Sequence, residues 1–379
     1  MTDIKAVLAA SDHDLRFDLA LGLANWFIFL DHIPDNVVNW VTLRNYGFSG
    51  AADVFVFAIG YTAAIRYARM MLERGVIVGA TRLFGRVWRL YVAYVVFFVI
   101  YIVTVGSAAA RYAASDLIYE FNLAGLVDHP ILTLRYGLLL LSTLPNLDML
   151  QLSIVLMAAL PPVLWLMLRA PTPVLAGSAA LYVAARHFEW SLPSFPDGSW
   201  TFNPLCWQLL FVLGAWSALG GAGTLRRIRG SPVLFYAGAA YLAFALVMTM
   251  AGRFPEFGNR FPEWLVAMFN PNDKTNLAPY RLLHFIVIAL FVARFVSRDW
   301  PVLQWLVAKP LIICGQQSLA VFCVGVFLSF VVHFRLTTSS ASLIEQIVLS
   351  AAGIIIMTLV ASYLTWSSRQ DAGAGASPS

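Results

Sequence analysis

Three polar side chains recur at one spacing near the start of the chain. Asp18, Asn25 and His32 lie seven and seven residues apart within RFDLALGLANWFIFLDHIP, so an α-helix carries all three on one stripe. His32 follows Asp31 and stands just before the helix-ending Pro34. An imidazole titrates near neutral pH and can take a proton from a hydroxyl as that oxygen attacks, while a nearby carboxylate orients the ring and stabilises its charged form. Adjacent residues on a helix point about 100° apart. Asp31 is therefore a less natural partner for His32 than a carboxylate from another helix, such as Asp53. Each polar group has a plainer reading as well, a hydrogen bond to a neighbouring helix, and for Asn25 the two readings stand level.

A second group sits in DKTNLAPYRLLH, where Asp273, Lys274, Asn276, Arg281 and His284 bring charge to the entrance of a later apolar run. Arg281 and His284 are three apart and share a helix face. The plainer reading is a solvated loop with one arginine reaching along the helix to water. Arg44 and Asn45 lie in the polar connection after the first stripe, and Arg16 stands at its beginning. Arg82, Arg86 and Arg89, spaced four and three, form a face suited to the phosphates of a nucleotide-like donor, or to orientation and anionic lipid. CGQQSL at 314–319 interrupts another apolar run, and helix packing or a site explains it equally well. No Walker loop, dinucleotide fingerprint, HExxH or CxxC pattern occurs, which argues against ATP-driven transport and metalloproteolysis; no metal is expected. Cys206, Cys314 and Cys323 lie in apolar runs and read as packing residues.

The elements that must hold these groups are membrane helices. Only 12% of the 379 residues are charged, and the mean hydropathy is +0.75. A soluble chain of this size could not cover so much apolar side chain. Apolar runs at roughly 16–34, 50–69, 87–108, 146–168, 172–187, 203–221, 231–251, 279–298, 310–334 and 342–366 predict an all-α, polytopic bundle of about ten transmembrane helices. Residues 1–14 form an N-terminal tail, 15–367 the membrane domain, and 368–379 a small, polar, disordered tail. No apolar core followed by a small-residue cleavage site opens the chain, so no removable signal peptide is expected.

The net charge of +5 fits membrane orientation rather than nucleic acid. Arg66, Arg69, Arg74, Arg82, Arg86 and Arg89 follow the second run, and Arg169, Arg226, Arg227, Arg229, Arg298, Lys309 and Arg369 continue in the same parity. Both termini are accordingly placed in the cytoplasm. That parity makes residues 131–144 a re-entrant or interfacial helix on the outer side. The outer loops 186–203 and 252–279 are rich in aromatic residues, as either an interfacial belt or a platform for sugar rings.

DHIP at 31–34, TLRNYGFSGAADVFVFAIGY at 42–61, NPLCWQLLFVLG at 203–214, DKTNLAPYRLLH at 273–284 and GQQSLAVFCVGVFLS at 315–329 resemble the OpgC family, from about residue 14 to residue 366. These are membrane succinyltransferases of osmoregulated periplasmic glucans, related to the wider membrane acyltransferase type 3 group. The resemblance implies succinyl-CoA (or another acyl-CoA) bound from the cytoplasm, a periplasmic oligoglucan as acceptor, and His32 as general base. It implies that Asp53, Arg44, Asn45, Asp273, Lys274 and Arg281 position His32 or pair with the donor's distal carboxylate. Membrane lipid is a partner, and a homodimer is allowed. Two positions depart from the pattern: Leu21 stands where the family commonly has an arginine, and Gln317 where a histidine is often found. A transporter or flippase using the same stripe as a pathway is the alternative from a different class. A catalytically idle assembly factor is a third.

Overall fold

In the computed structural model, which describes residues 2–9, 14–112, 129–142, 144, 146–195, 198–221, 223 and 230–374, the chain is helical and carries no strand among those residues. The α-helices are α1 Thr2–Ala9, α2 Leu15–Asp31, α3 Ala51–Arg74, α4 Val76–Tyr112, α5 Pro130–Leu138, α6 Asp148–Met167, α7 Pro171–His187, α8 Pro204–Trp216, α9 Pro232–Arg253, α10 Pro255–Gly258, α11 Glu263–Phe269, α12 Pro279–Phe295, α13 Ala308–Gln316, α14 Ser318–Thr337 and α15 Leu343–Ala374. Among the described residues, seven helices are long and apolar enough to cross a membrane. Helices α2, α7 and α12 have 17 residues each, about 25 Å of rise, just short of the hydrocarbon thickness.

Residues 1–10, 59–224 and 273–279 form one compact unit, and residues 11–58, 225–272 and 280–379 another. In the first, α4 turns Leu83, Leu90, Tyr94, Phe98, Tyr101 and Val105 inward, all at most 3% exposed. Its opposite face shows Val92, Val96, Val99 and Val103 at 42–62% exposure. Apolar side chains on both faces, only one of them packed, suit a helix whose other face meets lipid. Nine-residue α5 is tied to α4 by the Tyr91 hydroxyl donating to Leu138 O at 2.9 Å and the Tyr94 hydroxyl donating to Gly137 O at 3.1 Å. Its length, about 14 Å, is too short to span.

The expected basic connection after the second run is not a loop. Helices α3 and α4 meet at Gly75, whose φ of +92° is the left-handed turn that ends a helix. Arg82, Arg86 and Arg89 consequently lie in the opening turns of α4, with Arg86 hydrogen-bonded to Tyr67. Two tail expectations also change. Residues 2–9 form α1, which accepts from Arg69 Nη2 through Leu8 O at 2.8 Å, and the last helix continues through Ala374. Arg226, Arg227, Arg229 and residues 375–379 lie outside the described residues.

In the second unit, α2 packs against α13 and α14, which pack in turn on α15. Phe29, Leu30, Ile33, Cys314, Val321, Val332, Leu336, Met357 and Ala361 form its main core. The α2–α13 crossing is close enough that a Cβ at Gly22 would lie 1.9 Å from Leu311 O, and one at Gly315 would lie 1.8 Å from Asp18 O. Reciprocal glycines let two membrane helices touch backbone to backbone.

Candidate functional site

Helix α2 ends at Asp31, and His32 is its C-cap, with φ −90° and ψ 4°. The His32 backbone N–H donates to Ile28 O at 3.1 Å, and ring Nδ1 lies 2.7 Å from the same oxygen. A carbonyl oxygen can only accept, so Nδ1 carries the proton. The neutral ring is thereby set in the tautomer whose basic nitrogen is Nε2. The orienting partner at Nδ1 is this main-chain carbonyl, where a carboxylate was expected.

Both carboxylates named for that role are engaged elsewhere. Asp31 Oδ1 accepts from the Thr42 hydroxyl at 2.6 Å and lies 3.5 Å from Arg44 Nε, while Arg44 Nη1 donates to Asp31 O at 3.1 Å. Asp31 acts on His32 through its charge. Asp53 accepts from Arg281 Nε at 3.0 Å and Nη2 at 2.6 Å, and from Gly50 N at 2.8 Å. It stands third in α3 and reaches back to the residue before the helix, as the third position of a capping box does.

Below His32, the stripe is a packed seam rather than an open path. Asp18 is 3% exposed and accepts from Gln316 Nε2 at 3.3 Å. Asn25 is 1% exposed, and its Nδ2 donates to Ser318 Oγ at 3.2 Å, leaving Oδ1 buried without a hydrogen-bond partner among the described residues. The stripe therefore faces the polar interruption GQQS, two features that the sequence presents separately. Gln317 Nε2 turns away to Thr365 Oγ1 at 3.3 Å. Leu21, 3% exposed, fills its position with an apolar side chain. Arg16 caps the N-terminal end of α2: Nε and Nη2 donate to Asp14 at 2.9 and 2.7 Å, and Nη1 donates to Val296 O at 2.7 Å.

The group from Asp273 to His284 divides between the two units. Arg281 and His284 sit on α12 in the second, where they grip the start of α3. Ser49 N donates to His284 Nδ1 at 3.2 Å and Ser49 Oγ lies 2.7 Å away, so Nδ1 accepts and Nε2 bears the proton. In the first unit, residues 273–277 form a knotted turn. Asp273 pairs with Arg186 at 3.2 Å, Asn276 Oδ1 accepts from Asn203 Nδ2 at 2.9 Å, and Lys274 O accepts from Trp207 Nε1 at 2.9 Å. Lys274 Nζ lies 5.4 Å from the centroid of the Phe202 ring. These contacts hold NPLCWQ to DKTN.

A family model described as OpgC protein matches residues 13–369. The chain belongs to the OpgC family. No curated protein and no solved structure gives a significant match. Membership in the OpgC family gives the chain a membrane acyltransferase reading with an acyl donor as co-substrate. Among the described residues of this OpgC protein, no group of three or more His, Cys, Asp and Glu could hold a metal ion.

Sequence reasoning passed over Thr42, Arg186, Asn203 and Arg253. Thr42 lies inside a motif whose charged members drew attention first. Arg253 ends an apolar helix that gives no hint of what its last residue meets. The Phe48 ring, from the same motif, is enclosed by Phe269 and Tyr280 at 5.0 Å, with Phe244 and Tyr241 beyond at 6.4 and 6.3 Å. Those aromatic residues pack a core. Trp190 and Trp264 remain 48% and 66% exposed.

Proposed function

We propose that the protein is an inner-membrane O-acyltransferase that moves a succinyl group from cytoplasmic succinyl-CoA to a hydroxyl of a periplasmic glucan, with both termini in the cytoplasm. The observation that carries this reading is the His32 Nδ1 contact to Ile28 O, which leaves Nε2 as the base. Nε2 takes the proton of the glucan hydroxyl as its oxygen bonds to the thioester carbonyl carbon. The carbon–sulfur bond then breaks, an ester remains on the sugar, and the departing thiolate recovers the proton from the imidazolium. Asp31 stabilises that imidazolium by charge. Arg281 and Asp53 position the segment that carries Arg44 and Asn45. Arg82, Arg86 and Arg89 offer cations to the donor phosphates.

The test supplies purified protein in nanodiscs with succinyl-CoA and an oligoglucan. Succinyl ester on the glucan, matched by released CoA thiol, is expected. Absence of ester with succinyl-, acetyl- and butyryl-CoA alike would overturn the proposal. The transport reading rests on one feature, the break at Gln317 between α13 and α14, since transporters also use discontinuous helices. Glucan movement without ester formation would favour it.

A further inference from the structure

The acyl group proposed above ends in a carboxylate, and a desolvated carboxylate needs a cation. Several cations read from the sequence are committed. Arg281 gives its fork to Asp53, and Arg16 gives its fork to Asp14 and Val296 O. Arg44 differs. It is anchored on Asp31 through Nη1 and Nε, yet its side chain is 45% exposed. A second guanidinium belongs to the same neighbourhood. Arg253, the last residue of α9, interacts electrostatically with both Arg44 and Asp31. Its Cζ stands 4.9 Å from the centroid of the Trp40 ring, which stacks on Phe254 at 5.9 Å. The Tyr46 hydroxyl donates to Trp40 O at 2.7 Å, and Tyr46 also lies in the field of Arg253.

Arg44 contacts Asp31, whose Oδ1 is already shared with Thr42, while Arg253 lies over Trp40 in the same segment as Arg44. Like charges held together on aromatic walls repel unless an anion completes the group. We propose that Arg44 and Arg253 form the subsite for the free carboxylate of a dicarboxylic acyl group, with Trp40 and Tyr46 as its walls. The inference rests on the acyl-transfer reading of His32. Asp31, which anchors Arg44, immediately precedes that base, and only two methylenes separate the carboxylate of a succinyl group from its thioester carbonyl. The subsite therefore selects the acyl group as well as binding it. A butyryl group of similar size leaves the two cations with the single charge of Asp31 to share.

The experiment measures kcat/KM for succinyl-CoA and butyryl-CoA on full-length protein in nanodiscs, for wild type, R253Q, R253K and R44Q. Losing a charged hydrogen bond should lower the succinyl-to-butyryl ratio by about tenfold or more in R253Q and R44Q. R253K, which keeps the charge and loses the fork, should fall between. Equal loss on both donors would overturn the subsite, since a structural role moves both. An R253Q effect that vanishes in nanodiscs without anionic lipid would also overturn it, by assigning the pair to a headgroup. If wild type transfers from neither donor, the acyl-transfer proposal fails. The subsite is then read from binding of the unreactive thioether analogues of the two donors. Tighter wild-type binding of the succinyl analogue, lost in R253Q, supports it, and equal binding of both analogues overturns it.

Discussion

Arg281 holds Asp53 through two parallel hydrogen bonds, and the Asp53 side chain is 0% exposed. Arg281 therefore fixes the first turn of α3 from α12. Removing one member of a buried pair strands the other, at about 3–5 kcal/mol. Asp53→Ala should lower the thermal unfolding midpoint in detergent markedly, and a double variant with Arg281→Met should recover part of that loss. A double variant whose loss equals the sum of the two single losses would show that the residues are not coupled.

The α2–α13 seam predicts a sharp contrast between glycines. Gly22→Ala and Gly315→Ala each drive a methyl into a facing main chain, so both should reduce folded yield and midpoint strongly. Gly85→Ala on α4 meets nothing within 4 Å and should be neutral or stabilising by about 0.5–1 kcal/mol. Size-exclusion recovery and thermal unfolding of the three variants provide the comparison.

Gly47 is required for a different reason. A Cβ there would lie 2.3 Å from His284 Nε2, so Gly47→Ala must push the imidazole off Ser49. Transfer activity and midpoint should both fall in Gly47→Ala. Ser49→Ala, which keeps the main-chain N–H bond to Nδ1, should lose less in both measurements.

Acid should open the N-terminal end of α2. Burial pushes the Asp14 carboxyl up, but the hydrogen bonds and charge of Arg16, with Arg298 at 3.5 Å, outweigh it and hold the group below its ordinary 3.8. A depressed carboxylate contributes stability that is present above the unfolded value and is lost as pH falls through the folded one. The midpoint of wild type should therefore drop more steeply than that of Asp14→Asn as pH is lowered below about 4. Parallel midpoint curves would contradict the assignment.

Helices and their apolar faces were legible because burial and lipid contact act on composition over whole turns. The stripe of Asp18, Asn25 and His32 was legible from spacing alone. Its facing partner, Gln316 to Ser318, was visible as an interruption, but pairing across nearly 300 residues is a tertiary fact with no local signal. The same holds for Asp53 with Arg281 and for Arg253 over Trp40. The helix break at Gly75 left no mark because it needs only a positive φ, which a long basic stretch conceals. The orienting partner of His32 escaped notice because a main-chain carbonyl leaves no mark in a sequence.

The central claim is that His32 Nε2 is the base of acyl transfer. Its most direct test is single-turnover ester formation from labelled succinyl-CoA, comparing wild type with His32→Ala at matched thermal midpoints. The rate should fall by about 10²–10⁴-fold, the range of general-base catalysis. Equal rates in the two proteins would contradict it.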